Sequence, residues 1–364
     1  MLVGVPKEIK LLEARVGLIP NSVSELVDRG HRVIVETGAG VGIGASDEAY
    51  QAVGAEIAPG AEKIFELADL IVKVKEPQKS EWDLLRPNQI LFAYLHLAAD
   101  VEQARGLMMS GCTAIAYETV TDDQNGLPLL APMSEVAGRL AVIEGAASLK
   151  ISSGGRGLLI SGVPGTPSAE VVIIGGGVVG ANAAKMAIGL GARVTLFDRS
   201  LPRLRYLVDI FGDRISTRFS NRANLEEACR KADIVIGAAL VPGGRTPRLI
   251  SRAFLSEMKK GSVLIDVAID QGGCFETSMP TTHEKPTYTV DNVLHYCVTN
   301  MPGAVPLTSS EALNSATLPY ILTLAEKGTK ALDMDKNLRN GLNIRNGEIM
   351  HDAVIGAIGK TPSS

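Results

Sequence analysis

Short apolar runs alternate with amphipathic stretches along the first third of the chain. LVGVP, RVIVE, LIVKV, QILFAY and TAIAY predict strands, and SVSELVDRG, DEAYQAVGA, AEKIFELA and ADVEQARGLMMSG predict the helices between them. Strand and helix alternating at this spacing build βαβ units, and so a parallel sheet. The strand runs are nearly continuous in hydrophobicity, as expected when helices cover both faces of a sheet. A longer helical pattern follows, PMSEVAGRLAVIEGAASLK, and then a Gly, Ser and Pro-rich break, SSGGRGLLISGVPGTPSAE, that reads as a connection or an exposed hairpin. A second alternating series starts at EVVIIGGG and runs through RVTLFD, ADIVIGA and SVLIDVA, and the helical stretch SSEALNSATLPYILTLAE comes after it. The simplest topology interrupts the first domain. Residues 1–130 and 306–364 form a discontinuous substrate domain, and 131–305 form an inserted nucleotide-binding domain.

The length of 364 residues suits two domains at roughly 150 residues each. With 46% apolar and 21% charged residues the chain reads as globular rather than disordered. A net charge of -4 offers no basic field for nucleic acid or an anionic membrane. No apolar run approaches the ~18 residues of a membrane span. The N-terminus reaches Lys7 and Glu8 too soon for the apolar core of a secretory signal. Cys112, Cys229, Cys274 and Cys297 are scattered, which predicts reduced thiols, buried or on the surface, in a cytoplasmic protein. The five histidines form no metal pattern with them, so no metal site is expected.

The strongest local signal is EVVIIGGGVVGANAAKMAIGLGARVTLFD. An apolar strand runs into Gly175, Gly177 and Gly180, a small-residue helix follows, and the next strand ends in Asp198. Each part has a physical task in holding a dinucleotide. Gly175 makes the tight turn, Gly177 lets the backbone approach a pyrophosphate, and Gly180 lets helix and strand pack closely. The helix N-terminus offers free N–H groups and a positive dipole end. Asp198 can accept from ribose hydroxyls and would repel a 2′-phosphate, which argues for NAD over NADP. Arg199 beside it weakens that argument, since a rotated Arg could pair with the phosphate.

Ligands of open α/β sheets lie outside the carboxyl ends of the strands. Four polar residues are expected there: Arg15 after the first strand, Lys75 closing LIVKVK, His96 after QILFAYL, and Asp270 after SVLIDVAI. Singly, each reads more readily as a surface charge, a core histidine or a turn residue. Together, two cations, an imidazole and a carboxylate lining a cleft between the domains suit a small carboxylate substrate and proton transfer near neutral pH. Ser134 reads as an N-cap of the long helix that also presents its N-terminus to the cofactor. Ser220, after ISTRF, faces the adenine end or is a simple loop serine. Asn300 and Met301 in the rigid loop TNMPGAVP either touch the nicotinamide or belong to a hinge.

GVPKEIK with Arg15, VKVKEP with Lys75, YLHLA with His96, GGGVVG, DVAIDQGG with Asp270, and NMPGAVP occur in an order and spacing that resemble bacterial L-alanine dehydrogenases over essentially the whole chain. The resemblance implies an α/β fold of two Rossmann-like, doubly wound parallel-sheet domains with a cleft between them, and a homo-oligomer, commonly a hexamer. It implies NAD-dependent, reversible oxidative deamination of L-alanine to pyruvate and ammonia. Carried over residue by residue, Arg15 and Lys75 would bind the substrate, His96 would be the acid/base and Asp270 would assist proton transfer. Ser134, Asp198 and Ser220 would hold NAD. Leu307 and Cys297 depart from the family pattern, away from these positions. Rival readings are the nucleotide-binding subunit of a transhydrogenase, against which His96 argues, a dehydrogenase of a larger lysine- or saccharopine-like amino acid, and an NADH-binding redox sensor.

Overall fold

The computed structural model describes residues 1–239 and 248–359. In chain order the strands are β1 (Leu2–Val5), β2 (Arg32–Glu36), β3 (Glu56–Ala58), β4 (Leu70–Val72), β5 (Ile90–Ala93), β6 (Thr113–Ala116), β7 (Glu170–Ile174), β8 (Arg193–Asp198), β9 (Ile215–Phe219), β10 (Ile234–Gly237), β11 (Val263–Asp266), β12 (Thr287–Val290), β13 (Val293–Tyr296), β14 (Leu342–Arg345) and β15 (Glu348–Ile349). The chain forms two compact units, Met1–Met133 with Val305–Ser364, and Ser134–Ala304.

The first unit holds one sheet in the order β15-β14-β6-β5-β4-β1-β2-β3. The six strands from β3 to β6 are parallel, while β14 joins β6 antiparallel and β15 joins β14 antiparallel. Successive side chains of a strand point to opposite faces, and here both faces are apolar. Val3, Val5, Val33, Val35, Leu70, Val72, Ile90 and Phe92 fill one core with Leu313, Ile321 and Leu324 of helix Pro306–Lys327. Ile34, Ile71, Leu91, Ala93, Ala114 and Ile344 fill the other with Ala104 and Leu107 of helix Val101–Ser110. Burial on both sides is why the strands read as unbroken apolar runs.

The second unit repeats the plan, with strand order β12-β13-β11-β10-β7-β8-β9 and β12 alone antiparallel, at the edge. In both units the strand order reverses beside the first strand, between β1 and β4 and between β7 and β10. That reversal opens a crevice at the carboxyl ends where ligands of such sheets bind.

The Gly, Ser and Pro-rich break forms turns rather than a hairpin of strands. It closes on itself through Ala169 N–H to the Ile160 carbonyl (2.9 Å) and Thr166 N–H to the Val163 carbonyl (2.8 Å). The four cysteines are buried and unbridged. Among the described residues no helix is long and apolar enough to cross a membrane, and no group of His, Cys, Asp and Glu could hold a metal ion.

Candidate functional site

In the second unit, β7 runs into Gly175, whose φ of +110° lies in the region that favours glycine. A Cβ on Gly175 would stand 2.6 Å from the carbonyl oxygen of Ala238, just beyond β10, so this glycine sits in the crevice of the strand reversal. A Cβ on Gly180 would stand 1.8 Å from the Gly175 oxygen, so only glycine lets helix Val178–Gly189 start this close to its strand. Gly177 is different. A Cβ there meets nothing within 4 Å, and no side chain caps the helix that follows. The open space and the uncapped first-turn N–H groups suit the pyrophosphate of a dinucleotide.

Asp198 ends β8, half-buried. Its Oδ2 accepts from Gly176 N–H (2.7 Å) and its Oδ1 from Ser200 N–H (2.7 Å). A carboxylate has about four lone-pair sites, so it braces the glycine turn and keeps acceptor capacity for a ribose. Ser220 follows β9 and donates its N–H to the Asp198 carbonyl (2.9 Å), which sets it beside Asp198 at the strand ends. Ser134 is not an N-cap. Helix Ala131–Ser148 starts three residues earlier, so Ser134 lies within its first turn. Gly138, one turn on, lets the helix approach so closely that a Cβ would stand 2.2 Å from the Val179 oxygen. That packing carries the start of the long helix to the start of Val178–Gly189.

Asp270 lies in the short turn Ile269–Gln271 past β11, exposed, and its Oδ2 accepts from Asn300 N–H (3.4 Å). Asn300 has φ +54°, and Met301 beside it is buried. The Asp270 loop is braced by Asp266, which is fully buried. Asp266 accepts from Ala268 N–H (3.1 Å), Cys274 N–H (2.7 Å), Phe275 N–H (3.4 Å) and the Ser278 hydroxyl.

In the first unit Arg15, Lys75 and His96 follow β1, β4 and β5, three neighbours in the sheet. Arg15 is buried, not a surface charge. Glu13 accepts from its Nε (2.7 Å), Nη2 (2.5 Å) and backbone N–H (3.1 Å), and Nη1 meets the Met133 sulfur at 3.0 Å. Burial works against the guanidinium charge, and the Glu13 bonds more than offset it, raising the Arg15 pKa. The loop itself is tied to helix Pro306–Lys327 by Val16 N–H to Ser310 Oγ (3.1 Å) and Ile19 N–H to Asn314 Oδ1 (2.9 Å). Lys75, half-buried, lies past the end of β4 rather than within it. Its backbone is held by Glu8, whose Oε1 accepts from Val74 N–H (2.6 Å) and Lys75 N–H (3.3 Å). Glu8 in turn pairs with buried Lys73 (3.3 Å), as does Glu81 (2.9 Å). His96 is half exposed, stacked on Tyr94, and stands in the left-handed region at φ 51°.

Sequence reasoning missed the bracing acids Glu8, Glu13, Glu118 and Asp266. It also missed Arg203, whose Nε donates to the Gly176 carbonyl and Nη2 to the Gly177 carbonyl (3.4 Å). The Arg203 spacing from Asp198, on the helix that follows β8, was the available signal.

Comparison with known proteins covers nearly the whole chain. Residues 4–137 match the family described as alanine dehydrogenase/PNT, N-terminal domain, and residues 141–352 match alanine dehydrogenase/PNT, C-terminal domain. The chain is 56% identical to the alanine dehydrogenase of Halomonas elongata over 360 residues, covering 99% of this chain and 97% of that protein. A solved L-alanine dehydrogenase is similar with TM-score 0.95 and 52% identity, covering 98% of this chain and 99% of that one. The transhydrogenase from Sinorhizobium meliloti is similar at TM-score 0.82 and 26% identity, covering 97% and 100%.

Proposed function

Because the chain belongs to the alanine dehydrogenase/PNT family, we propose that it catalyses the reversible, NAD-dependent oxidative deamination of L-alanine to pyruvate and ammonia. The observation that carries this reading is the grouping of Arg15, Lys75 and His96 at the carboxyl ends of three adjacent strands. The other unit supplies a glycine turn, an uncapped helix start and an acid at the next strand end, which together fit a dinucleotide.

Arg15 and Lys75 hold the substrate carboxylate and carbonyl oxygen, fixing Cα for reaction. Positioning of this kind supplies much of an enzyme's rate. A buried Arg braced on three sides by Glu13 is pre-set for that task, since little freedom is left to lose. Nicotinamide chemistry provides the hydride acceptor for Cα, with Asp198 favouring NAD over NADP. Ser134, Ser220, Asn300 and Met301 hold the rest of the cofactor. Once Cα is an iminium, water adds to it. His96 removes the proton from that water and returns one to the departing amine, and Asp270 assists these transfers. A homohexamer accompanies this reading, to be checked by light scattering.

The test is a turnover assay with NAD and a panel of L-amino acids. L-alanine is expected to lead the panel, and a clear lead for lysine or glycine would overturn the substrate assignment. His96→Ala is expected to keep NADH affinity and lose roughly 100- to 10,000-fold in kcat. A folded variant with more than about a tenth of normal kcat overturns the acid/base role.

A further inference from the structure

Glu118 lies in the short turn Tyr117–Thr119 that follows β6, one strand over from His96. Its Oε1 accepts from His96 N–H (2.6 Å) and Leu95 N–H (3.2 Å), and its Oε2 also lies 3.2 Å from Leu95 N–H. The same Oε1 stands 3.8 Å from His96 Nδ1. The backbone it holds is unusual. At φ 51° and ψ 34°, His96 occupies the left-handed region that residues with a Cβ seldom enter. Such a conformation persists where surrounding contacts over-determine it, and the Glu118 carboxylate provides them. Tyr94 lies parallel to the imidazole at 5.9 Å between ring centres, and its hydroxyl is tied to the Leu129 carbonyl. The ring is thus confined from one face by Tyr94 and from its Nδ1 edge by an acid.

We propose that Glu118 is the positioning residue for His96, holding the left-handed backbone that aims the imidazole and pairing with its Nδ1 edge, so that Nε2 is the nitrogen that exchanges protons with substrate and water. This rests on the reading of His96 as the acid/base. A base whose far nitrogen faces a carboxylate is fixed in orientation, and its charged form is stabilised when it takes a proton. The other ionisable groups around the pair are Arg15, which interacts with Tyr94, and His351, which interacts with both Glu118 and neighbouring Asp352 at the start of helix Asp352–Ile358 and whose neutral form burial favours.

Glu118→Gln isolates the charge. The amide Oε1 still accepts from His96 and Leu95 N–H and still stands beside Nδ1, but it no longer carries a negative charge. The readout is the split between kcat and KM, with carbethoxylation of the His96 peptide by diethylpyrocarbonate, followed by mass spectrometry, as a probe of the ring that needs no turnover. The expected result for Glu118→Gln is a kcat lower by roughly 10- to 100-fold, as when an orienting partner is lost, with KM for pyruvate and NADH affinity near normal and a changed carbethoxylation rate at His96. A packing role would lower Tm and leave kcat per folded enzyme unchanged. If Glu118→Gln does not accumulate as folded enzyme, Glu118→Asp keeps the charge but draws it back by one methylene, and its kcat should fall by less. Unchanged kcat together with an unchanged carbethoxylation rate in whichever variant folds overturns the proposal. The two readings fail separately, because His96→Gln with near-normal kcat would remove the acid/base role whatever the Glu118 variants show.

Discussion

Lys73→Met offers a sharp test of how the first unit holds its candidate substrate residues. The Lys73 side chain is 0% exposed and touches two carboxylates, Glu8 and Glu81, each 2% exposed. Methionine has a similar length and no charge, so it fills the space and strands two acids in the interior. Each can escape by binding a proton. For a carboxyl of ordinary pKa 4.5, that costs about 3.4 kcal/mol at pH 7, at about 1.4 kcal/mol per pH unit. Backbone N–H groups still serve both acids, Val74 and Lys75 on Glu8 and Gln78 on Glu81. One proton therefore suffices, and the expected deficit is about 3–4 kcal/mol, within the range of roughly 3–5 for breaking a buried pair.

The deficit carries a pH signature. In the wild type, burial already raises the Glu8 pKa against the pull of Lys73, and without that pull it rises further. A carboxyl with a raised folded-state pKa contributes stability that is full below its unfolded value and lost as pH rises through the folded one. The gap between variant and wild type should therefore widen as pH rises above the ordinary carboxyl value of 4.5, by at most about 1.4 kcal/mol for each pH unit. Urea unfolding followed by tryptophan fluorescence measures it. Trp82 is the single tryptophan, it lies beside Glu81 in helix Lys79–Trp82, and its indole donates to the Pro77 carbonyl (2.7 Å). A deficit below about 1 kcal/mol, or one that does not change with pH, would refute the account, since an uncompensated buried charge must do both.

Gly177→Ala should keep a near-wild-type Tm yet weaken NADH roughly 5- to 150-fold in a fluorescence titration, the scale of a 1–3 kcal/mol steric clash; Gly180→Ala should lower Tm instead, because its Cβ meets the Gly175 oxygen. Asp198→Ala should raise the NADP to NAD ratio of kcat/KM and weaken NAD at least ~10-fold, with unpaired Gly176 and Ser200 N–H groups adding a loss of about 1–3 kcal/mol in stability. Buried His295, bonded to Thr277 Oγ1 and the Val293 carbonyl, has a pKa held below 6.5 by burial. Stability that depends on its neutral form is present above pH 6.5 and lost as pH falls toward the folded value, so His295→Asn should flatten the decline of Tm with acidification.

The apolar runs exposed most of both sheets to a reading of the sequence, because each strand is covered on both sides and spells its burial in consecutive residues. Two hairpins escaped it. In TYTVDNVLHY, Asp291 and Asn292 take φ of 49° and 64° and join β12 to β13; in LNIRNGEI, Asn346 and Gly347 take 54° and 75° and join β14 to β15. Positive φ at both central residues is the signature of the two-residue turn that matches strand twist. Both pairs are residue types that tolerate it, so the signal was present in the sequence. Arg15, Lys75, His96 and Asp270 stand out as candidates because they lie next to apolar runs whose ends define the sheet's carboxyl edge.

The acids that brace those residues could not be found the same way, and the reason is topological. Glu8 comes from the loop after β1 and serves Lys75 after β4, while Glu118 follows β6 and serves His96 after β5. A parallel sheet sets loops from different strands side by side at one edge, so partners there are close in space and remote in sequence. Even Glu13, two residues from Arg15, reads as a surface acid until its side chain is seen to be buried with that of Arg15. The acids also share a manner of action. Glu8, Glu118 and Asp266 each accept backbone N–H groups on or beside the loop that carries a candidate residue. An oxygen that receives N–H groups in this way can be an amide as well as a carboxylate. Replacement of Glu8 or Glu118 by glutamine, whose Oε1 alone can serve these N–H groups, should therefore spare the loop's shape while removing its charge, whereas Asp266 receives N–H groups on both oxygens and asparagine would lose some of them. Replacing the buried cation Lys73 also leaves the loop bonds intact, but it unbalances the interior in the opposite sense, toward excess negative charge. Charge at this edge is thus separable from shape by substitution, with shape residing in the N–H bonds to Glu8 and Glu118 and charge in the pairing of Glu8 with Lys73 and of Glu13 with Arg15.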